Sequence, residues 1–275
     1  MIKLLRSDIH ALFLDKGFRI ISLFSIILGA FMPILGYINK IRYDEITVFE
    51  DGFFIFLSAF SFSIPFFVSL FLGKSFEWGT VRNKLTVGHR RSEVYFSFLF
   101  TSFIGTLTLV VLYMVPYILL GSFMLEKLEI PLSYFLLFIM AGILVLLSLT
   151  SLAVAINNNI HSRAISLVVT LCVVIALLMI GSIAVQMLLE PEMITTSLTM
   201  VDGEFKPLDP YPNPRYVKES QRWIWESIKD STLGGQIHQI TALECNWKSV
   251  SVYSIALGVI ISIIGFIFFN KKDLK

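Results

Sequence analysis

Six stretches of the chain stay apolar for about 20 residues or more, the length a helix needs to cross hydrocarbon. They cover 18–38, 53–73, 94–125, 132–156, 164–189 and 250–269. None carries a charged residue in its middle. The pattern predicts six membrane-spanning helices. The third is long enough to tilt or bend, and Pro116 supplies a place for a kink, as Pro33 and Pro65 do in the first two. Ahead of the first span, residues 1–17 read as a helix lying in the membrane interface. Ile2, Leu5, Ile9 and Leu12 form its apolar stripe, with Lys3, Arg6 and His10 elsewhere on its surface.

Between the fifth and sixth spans the pattern changes. Residues 190–249 hold Pro191, Pro207, Pro210, Pro212 and Pro214, and three of the four tryptophans. "DPYPNP" predicts a rigid, non-helical segment. "RYVKESQRWIWESIKDS" predicts a helix with Val217, Ile224 and Ile228 along one stripe. Trp223, Trp225 and Trp247 suit a membrane–water boundary, where an apolar ring and a polar N–H are both satisfied.

Composition agrees with lipid as the solvent. The chain has 275 residues, 56% hydrophobic and 15% charged. Soluble domains run nearer ~45–50% and ~25%. Net charge is only +2, so the cations matter by location. Lys3, Arg6, Lys16, Arg19, Lys74, Arg82, Lys84, Arg90, Arg91, Arg163, Lys271, Lys272 and Lys275 fall on one side of the six spans. Only Lys40, Arg42 and Lys127 fall in the two short loops of the other. Thirteen against three places both termini in the cytoplasm and the 190–249 loop outside. The basic residues of that loop weigh little, because long loops translocate regardless of charge. The opening segment lacks a small-residue cleavage site and does not read as a cleavable signal peptide. Cys172 lies in an apolar run and Cys245 in a polar loop, a setting that predicts no disulfide.

The search for chemistry returns mostly absences. "GKS" at 73–75 resembles the end of a phosphate-binding loop, but the Gly such a loop requires earlier is Val68, inside a span. The chain therefore is not expected to hydrolyse ATP. His10, His89, His161 and His238 are scattered and read as bystanders. No ionisable residue lies at membrane depth, where an ion-coupled carrier would need one. Asn157, Asn158 and Asn159 sit at the end of the fourth span and read as partners for helix-terminal carbonyls or water. Energy for any transport must come from another protein.

One polar island offers the entry point: "FEWGTVRNKLTVGHRR", from Phe76 to Arg91. Thr80 is predicted to cap a short helix and Gly88 to end it in the left-handed conformation. Trp78, Val81 and Leu85 recur at spacings of three and four, as one apolar edge. Arg82 and Lys84 are expected to leave in other directions, Glu77 to hold a basic residue within this chain, for example on the N-terminal helix, and Ser92 to cap the next span. The plain alternative is a basic loop that only contacts lipid. A capped helix with an apolar edge favours a docking element, spanning 76–88.

At these residues the chain resembles the permease subunits of type-2 ATP-binding cassette exporters, in the peptide and drug branch. A glutamate, then "GT", then a basic "R-N-K-L" run recurs in the loop between their second and third spans. Here it reads Glu77, Gly79, Thr80, Arg82, Asn83, Lys84 and Leu85. The resemblance implies an all-α integral membrane protein of the bacterial plasma membrane. It implies six transmembrane helices, an N-terminal interfacial helix, a cytoplasmic coupling helix at 76–88 and an enlarged extracellular loop in place of the family's small hairpin. It further implies two permease chains, identical or paralogous, packed side by side over two separately encoded ATPase subunits. ATP and magnesium would sit on those partners, with no cofactor on this chain and no nucleic acid. The second and fifth spans would line the pathway. On the second, Phe56, Ser58, Phe60, Ser61, Ser63 and Phe67 would meet an apolar or amphipathic cargo, such as a membrane-active peptide or drug; the alternative is that these Phe face lipid. A membrane-embedded hydrolase is disfavoured by the lack of intramembrane His, Asp or Glu. A non-transporting sensor or immunity protein, capturing a peptide with the 190–249 loop, is the other reading.

Overall fold

The computed structural model describes residues 1–44, 47–160, 162–194, 198–201, 204–207, 210–244 and 246–272. The expectations for His161, Cys245 and Lys275 lie outside them. The described chain begins with α1 (Ile2–Leu14) and runs through α2 (Lys16–Tyr43), α3 (Ile55–Glu77), α4 (Thr80–Thr86), α5 (Arg91–Met124), α6 (Leu132–Asn159) and α7 (Arg163–Leu189). Short strands follow: β1 (Met193–Ile194), β2 (Leu198–Val201), β3 (Glu204–Pro207) and β4 (Tyr211–Pro212). The chain then makes α8 (Glu219–Ser231), α9 (Leu233–Thr241) and α10 (Trp247–Lys271). β1 pairs antiparallel with β4, Ile194 opposite Tyr211, and β2 with β3, Met200 opposite Phe205. Among the described residues, α2, α3, α5, α6, α7 and α10 are long and apolar enough to cross a membrane.

The helices outrun the apolar segments that announce them. α2 continues through Lys40 and Arg42, and α3 through Lys74 to Glu77. Long basic side chains can reach the interface while their backbone stays helical. Asp15 starts α2 by accepting the Phe18 N–H, and Ser162 starts α7 by accepting that of Ile165. Ser92 does not cap α5. The N-cap is Arg90, whose N–H donates to the Glu93 carboxylate.

α3 is the most enclosed span and packs on α6 and α7, with α2 and α5 also against it. At one end an aromatic cluster fills the core. Phe53 packs on Phe49, Phe54, Phe56, Tyr113, Tyr117 and Phe135. The two tyrosines use their polar tips to fasten the α2–α3 connection: Tyr113 donates to the Phe53 carbonyl at 3.0 Å and Tyr117 to that of Phe49 at 2.9 Å. Glu50, buried beside them, accepts the backbone N–H groups of Glu129 and Ile130, which binds this connection to the α5–α6 one. At the same end Lys40 pairs with Glu126 and holds its carboxyl below the usual range.

The stripe expected on α1 is displaced. Leu4, Asp8 and Leu12 are the buried positions, while Ile2 is exposed. The predicted helix of the 190–249 region begins only at Glu219. Val217 is buried but precedes it, and Ile224 is exposed. A second helix there, α9, packs into the bundle on α7 and α6. Its seat is made by glycines. A Cβ at Gly234 would stand 2.2 Å from the Leu178 carbonyl oxygen, and one at Gly181 2.2 Å from the Gly235 nitrogen. Asp230 joins three helices. Its carboxylate accepts from Gln239 and Ser249, and its carbonyl from Gln236.

Candidate functional site

The Phe76–Arg91 segment closes the basic end of the bundle. α3 ends at Glu77, and Gly79 turns the chain with φ 68°, a left-handed value that favours glycine. Gly79, not Thr80, is the N-cap of α4; Thr80 is its first helical residue. Gly88, φ 103°, closes the helix. Its N–H donates to Leu85 and that of His89 to Lys84, the double bond pattern of a left-handed helix stop. The expected stop is in place, and the expected start lies one residue earlier.

The faces of α4 are partly the reverse of those predicted. Val81 is buried in this chain's own core and Leu85 is packed against it. Lys84 also turns inward. Its ammonium lies 2.6 Å from the Asp8 carboxylate, whose other oxygen accepts the Ser97 hydroxyl at 2.7 Å. The same ammonium stands 4.3 Å from the centre of the Phe98 ring. Side-chain exposure is 12% for Lys84 and 7% for Asp8. Such a pair ties α4 to α1 and α5 at once. Removing one member strands a charge, at a cost of about 3–5 kcal/mol.

A second link ties the α1–α2 junction to α3: Lys74 pairs with Asp15. Glu77, expected to make such a link, is exposed and has no ion pair among the described residues. What α4 and its flanks present outward is Trp78, 74% exposed, and Val87, 81% exposed, with Arg82, Asn83 and Arg90 around them. The outward surface thus carries one exposed apolar residue at each end of α4, with the cations Arg82 and Arg90 and the amide Asn83 exposed on the same segment.

Neighbouring contacts brace this end. Arg91 donates to the carbonyls of Asn270 and Lys272. Lys272 donates to the Asn158 carbonyl at 3.0 Å and lies over the Phe76 ring. Burial pushes its ammonium down to about 8. Asn157 and Asn159 donate back to the Ala153 and Ala155 carbonyls, inside the helix and not at its last unpaired carbonyls as expected, and the buried Asn158 side chain has no partner among the described residues.

The residues expected to line a pathway separate into two sets. Phe56, Phe60, Ser61 and Phe67 are buried inside this chain, with Phe56 tilted against Tyr113 and Phe60 edge-on to it. They pack the core and offer no open face. Ser61 spends its hydroxyl on the Leu57 carbonyl, as Ser63 does on that of Ala59. Ser58 is exposed and Ser63 half-buried. The open stripe of α3 is Ile55, Ser58, Phe62 and Phe66. α7, packed beside it, leaves Val168, Cys172, Ile175 and Met179 exposed.

Asp8, Asp15 and Ser97 were missed as site residues in the sequence. The available signal was two carboxylates seven residues apart, two helical turns, in an otherwise basic segment. No protein-family model matches the chain, and no curated protein matches it significantly.

Proposed function

We propose that the chain is the membrane-spanning subunit of an ATP-driven exporter, powered by a separate ATPase that docks on α4. The observation that carries this reading is the construction of α4. Two left-handed glycines bound it, a buried ion pair fastens it to α1 and α5, and it still exposes Trp78 and Val87 beside Arg82. An element that only marked the membrane boundary would need no such bracing. Force applied to α4 passes directly to α5 through Asp8, Ser97 and Lys84, and to α3 across Gly79. The basic end is cytoplasmic in this reading, and the α8–α9 end is external. A second copy or a sibling chain would pack on the open faces of α3 and α7, with apolar or amphipathic cargo passing between them. ATP and magnesium belong to the partner.

The test is co-purification of an ATP-binding cassette ATPase with this chain from its native membrane, together with ATP-dependent export from proteoliposomes. Trp78→Ala with Val87→Asp should release the ATPase and leave the membrane subunit folded, because truncating a central apolar anchor costs about 2 kcal/mol or more. Retention of the ATPase and of full export by that folded variant would remove α4 as the docking element. A wild-type chain that binds no ATPase would leave the non-transporting capture protein as the better account.

A further inference from the structure

α2 and α3 meet at the α4 end of the bundle and part above it. At the meeting point Phe18 packs edge-on to Phe67, and a Cβ at Gly17 would stand 3.1 Å from the Leu70 side chain. Higher up, α2 leans onto α5 instead. There a Cβ at Gly29 would stand 2.2 Å from the Tyr113 carbonyl oxygen. The parting leaves a groove of about 360 Å³ between α2 and α3. Ile20 and Phe24 of α2 and Phe66 of α3 line it, and all three are exposed on the outside of the bundle. The groove therefore opens sideways, within two helices long and apolar enough to cross a membrane. Its apolar face continues along the exposed Ile27 and Phe31 of α2 and Phe62 of α3. No lining residue is charged, and the Ser63 hydroxyl is spent on the Ala59 carbonyl of its own helix.

The foot of the groove is basic. Lys16 precedes Ile20 by about one turn of α2, and Lys74 follows Leu70 by about one turn of α3. The Arg163 stem crosses α3 beside Lys74, where a Cβ at Gly73 would stand 2.6 Å from it. Two carboxylates share this foot. Asp15 is spent on Lys74 and on the Phe18 N–H, and Glu77 is exposed one turn beyond Gly73. Three cations against two carboxylates leave a positive excess. Lys16 and Arg163 have no ion pair among the described residues. An apolar helix of a second copy would fill the groove and leave those two cations without a counter-charge. A soluble phosphate would use the cations and leave the groove idle. An anionic phospholipid would use both.

We propose that this groove holds one acyl chain of an anionic phospholipid from the leaflet at the α4 end. The phosphate meets Lys16 and Arg163, with Lys74 beside it. The chain runs up between Ile20, Phe24 and Phe66, and covers apolar surface that neither helix buries in the other. The bound lipid thereby fills the gap that opens where α2 leaves α3 for α5. This site stands whether or not an ATPase docks on α4.

The experiment uses the purified full chain in detergent. Three probes are titrated: a phosphatidylglycerol, a phosphatidylcholine with the same acyl chains, and water-soluble glycerol 3-phosphate. Retained ligand is read by native mass spectrometry and stability by thermal unfolding. Phosphatidylglycerol should be retained and should raise the Tm more than phosphatidylcholine does, and glycerol 3-phosphate alone should do little. Lys16→Gln, at an exposed position, should weaken phosphatidylglycerol retention about fivefold, the worth of one lysine at an anionic lipid surface, in a chain whose lipid-free Tm is normal. Ser63→Phe puts a ring into the groove and should also lower that retention. Equal retention of the two lipids by the wild type, or unchanged retention by either variant, overturns the proposal. A Tm rise from glycerol 3-phosphate as large as that from the lipid overturns the acyl-chain part and leaves a phosphate site at the foot.

Discussion

Residue identity is most decisive where a side chain's direction contradicts its type. Lys84 is a cation in a short loop of a membrane protein, and such a residue is ordinarily worth little. Here it is buried against Asp8 and Phe98. Lys84→Ala should lower the Tm of the purified chain sharply, with a loss near 3–5 kcal/mol, because Asp8 is left charged and enclosed. Lys84→Ala with Asp8→Ala should recover much of that loss. Equal Tm values for the single variant and wild type would mean the pair contributes nothing. The same logic divides the phenylalanines of α3. Phe60→Ala opens a cavity in the core and should cost about 3–5 kcal/mol, read as a lower Tm and reduced membrane abundance. Phe66→Ala removes an exposed ring and should leave Tm unchanged; any change it makes in export would then report on cargo. Neither distinction was legible in the sequence. The Asp8–Lys84 contact spans 76 positions, and no local periodicity contains it. α1 was misread for that reason: its buried face carries a carboxylate where pattern rules expect only apolar residues.

At the scale of elements, the helices were legible and their junctions only partly so. Apolar run length found all six long helices, and the glycine stop of α4 was visible because Gly88 follows a helix-length segment. The start was misplaced because Thr80 is a good cap by type, yet Gly79 supplies the left-handed turn that the chain needs to leave α3. Gly88→Val should therefore strain the helix end by about 1–3 kcal/mol. The check is ATPase co-purification beside a Tm measurement, and an unchanged complex would show that the left-handed stop is dispensable. α9 escaped notice altogether. Adjacent glycines disfavour a helix by propensity, yet the lack of Cβ at Gly234 and Gly235 lets the α9 backbone touch that of α7 and the end of α8. Gly235→Ala would bring a methyl group within 2.1 Å of the Lys229 carbonyl oxygen. The backbone must shift to accept it, at roughly 1–3 kcal/mol. α9 should then become cleavable by an added protease at detergent concentrations that leave the wild type intact. Resistance equal to wild type would mean the close approach relaxes without cost.

For the molecule as a whole, the proposed function depends on which end faces the cell interior. Contacts gather the basic segments into one place: Lys74 with Asp15, Arg91 with Asn270, and Lys272 with Asn158. The opposite end is closed by Glu50 and by Lys40 with Glu126. The bundle is therefore polarised in charge along its length, as the loop counts indicated. Orientation itself follows from the membrane's treatment of short basic loops, and it can be measured. Cys172 is exposed on α7, so Cys172→Ala and Cys245→Ser come first. Single cysteines then go to Ser220 on α8 and Thr86 on α4, both exposed. A membrane-impermeant maleimide should label Ser220→Cys in intact cells. It should reach Thr86→Cys only after permeabilisation. The reverse pattern would put α4 outside, where no ATP-hydrolysing partner works, and would end the docking proposal without any transport assay. Labelling at both sites in intact cells would show a mixed topology, and the charge asymmetry would then be too weak to orient the chain.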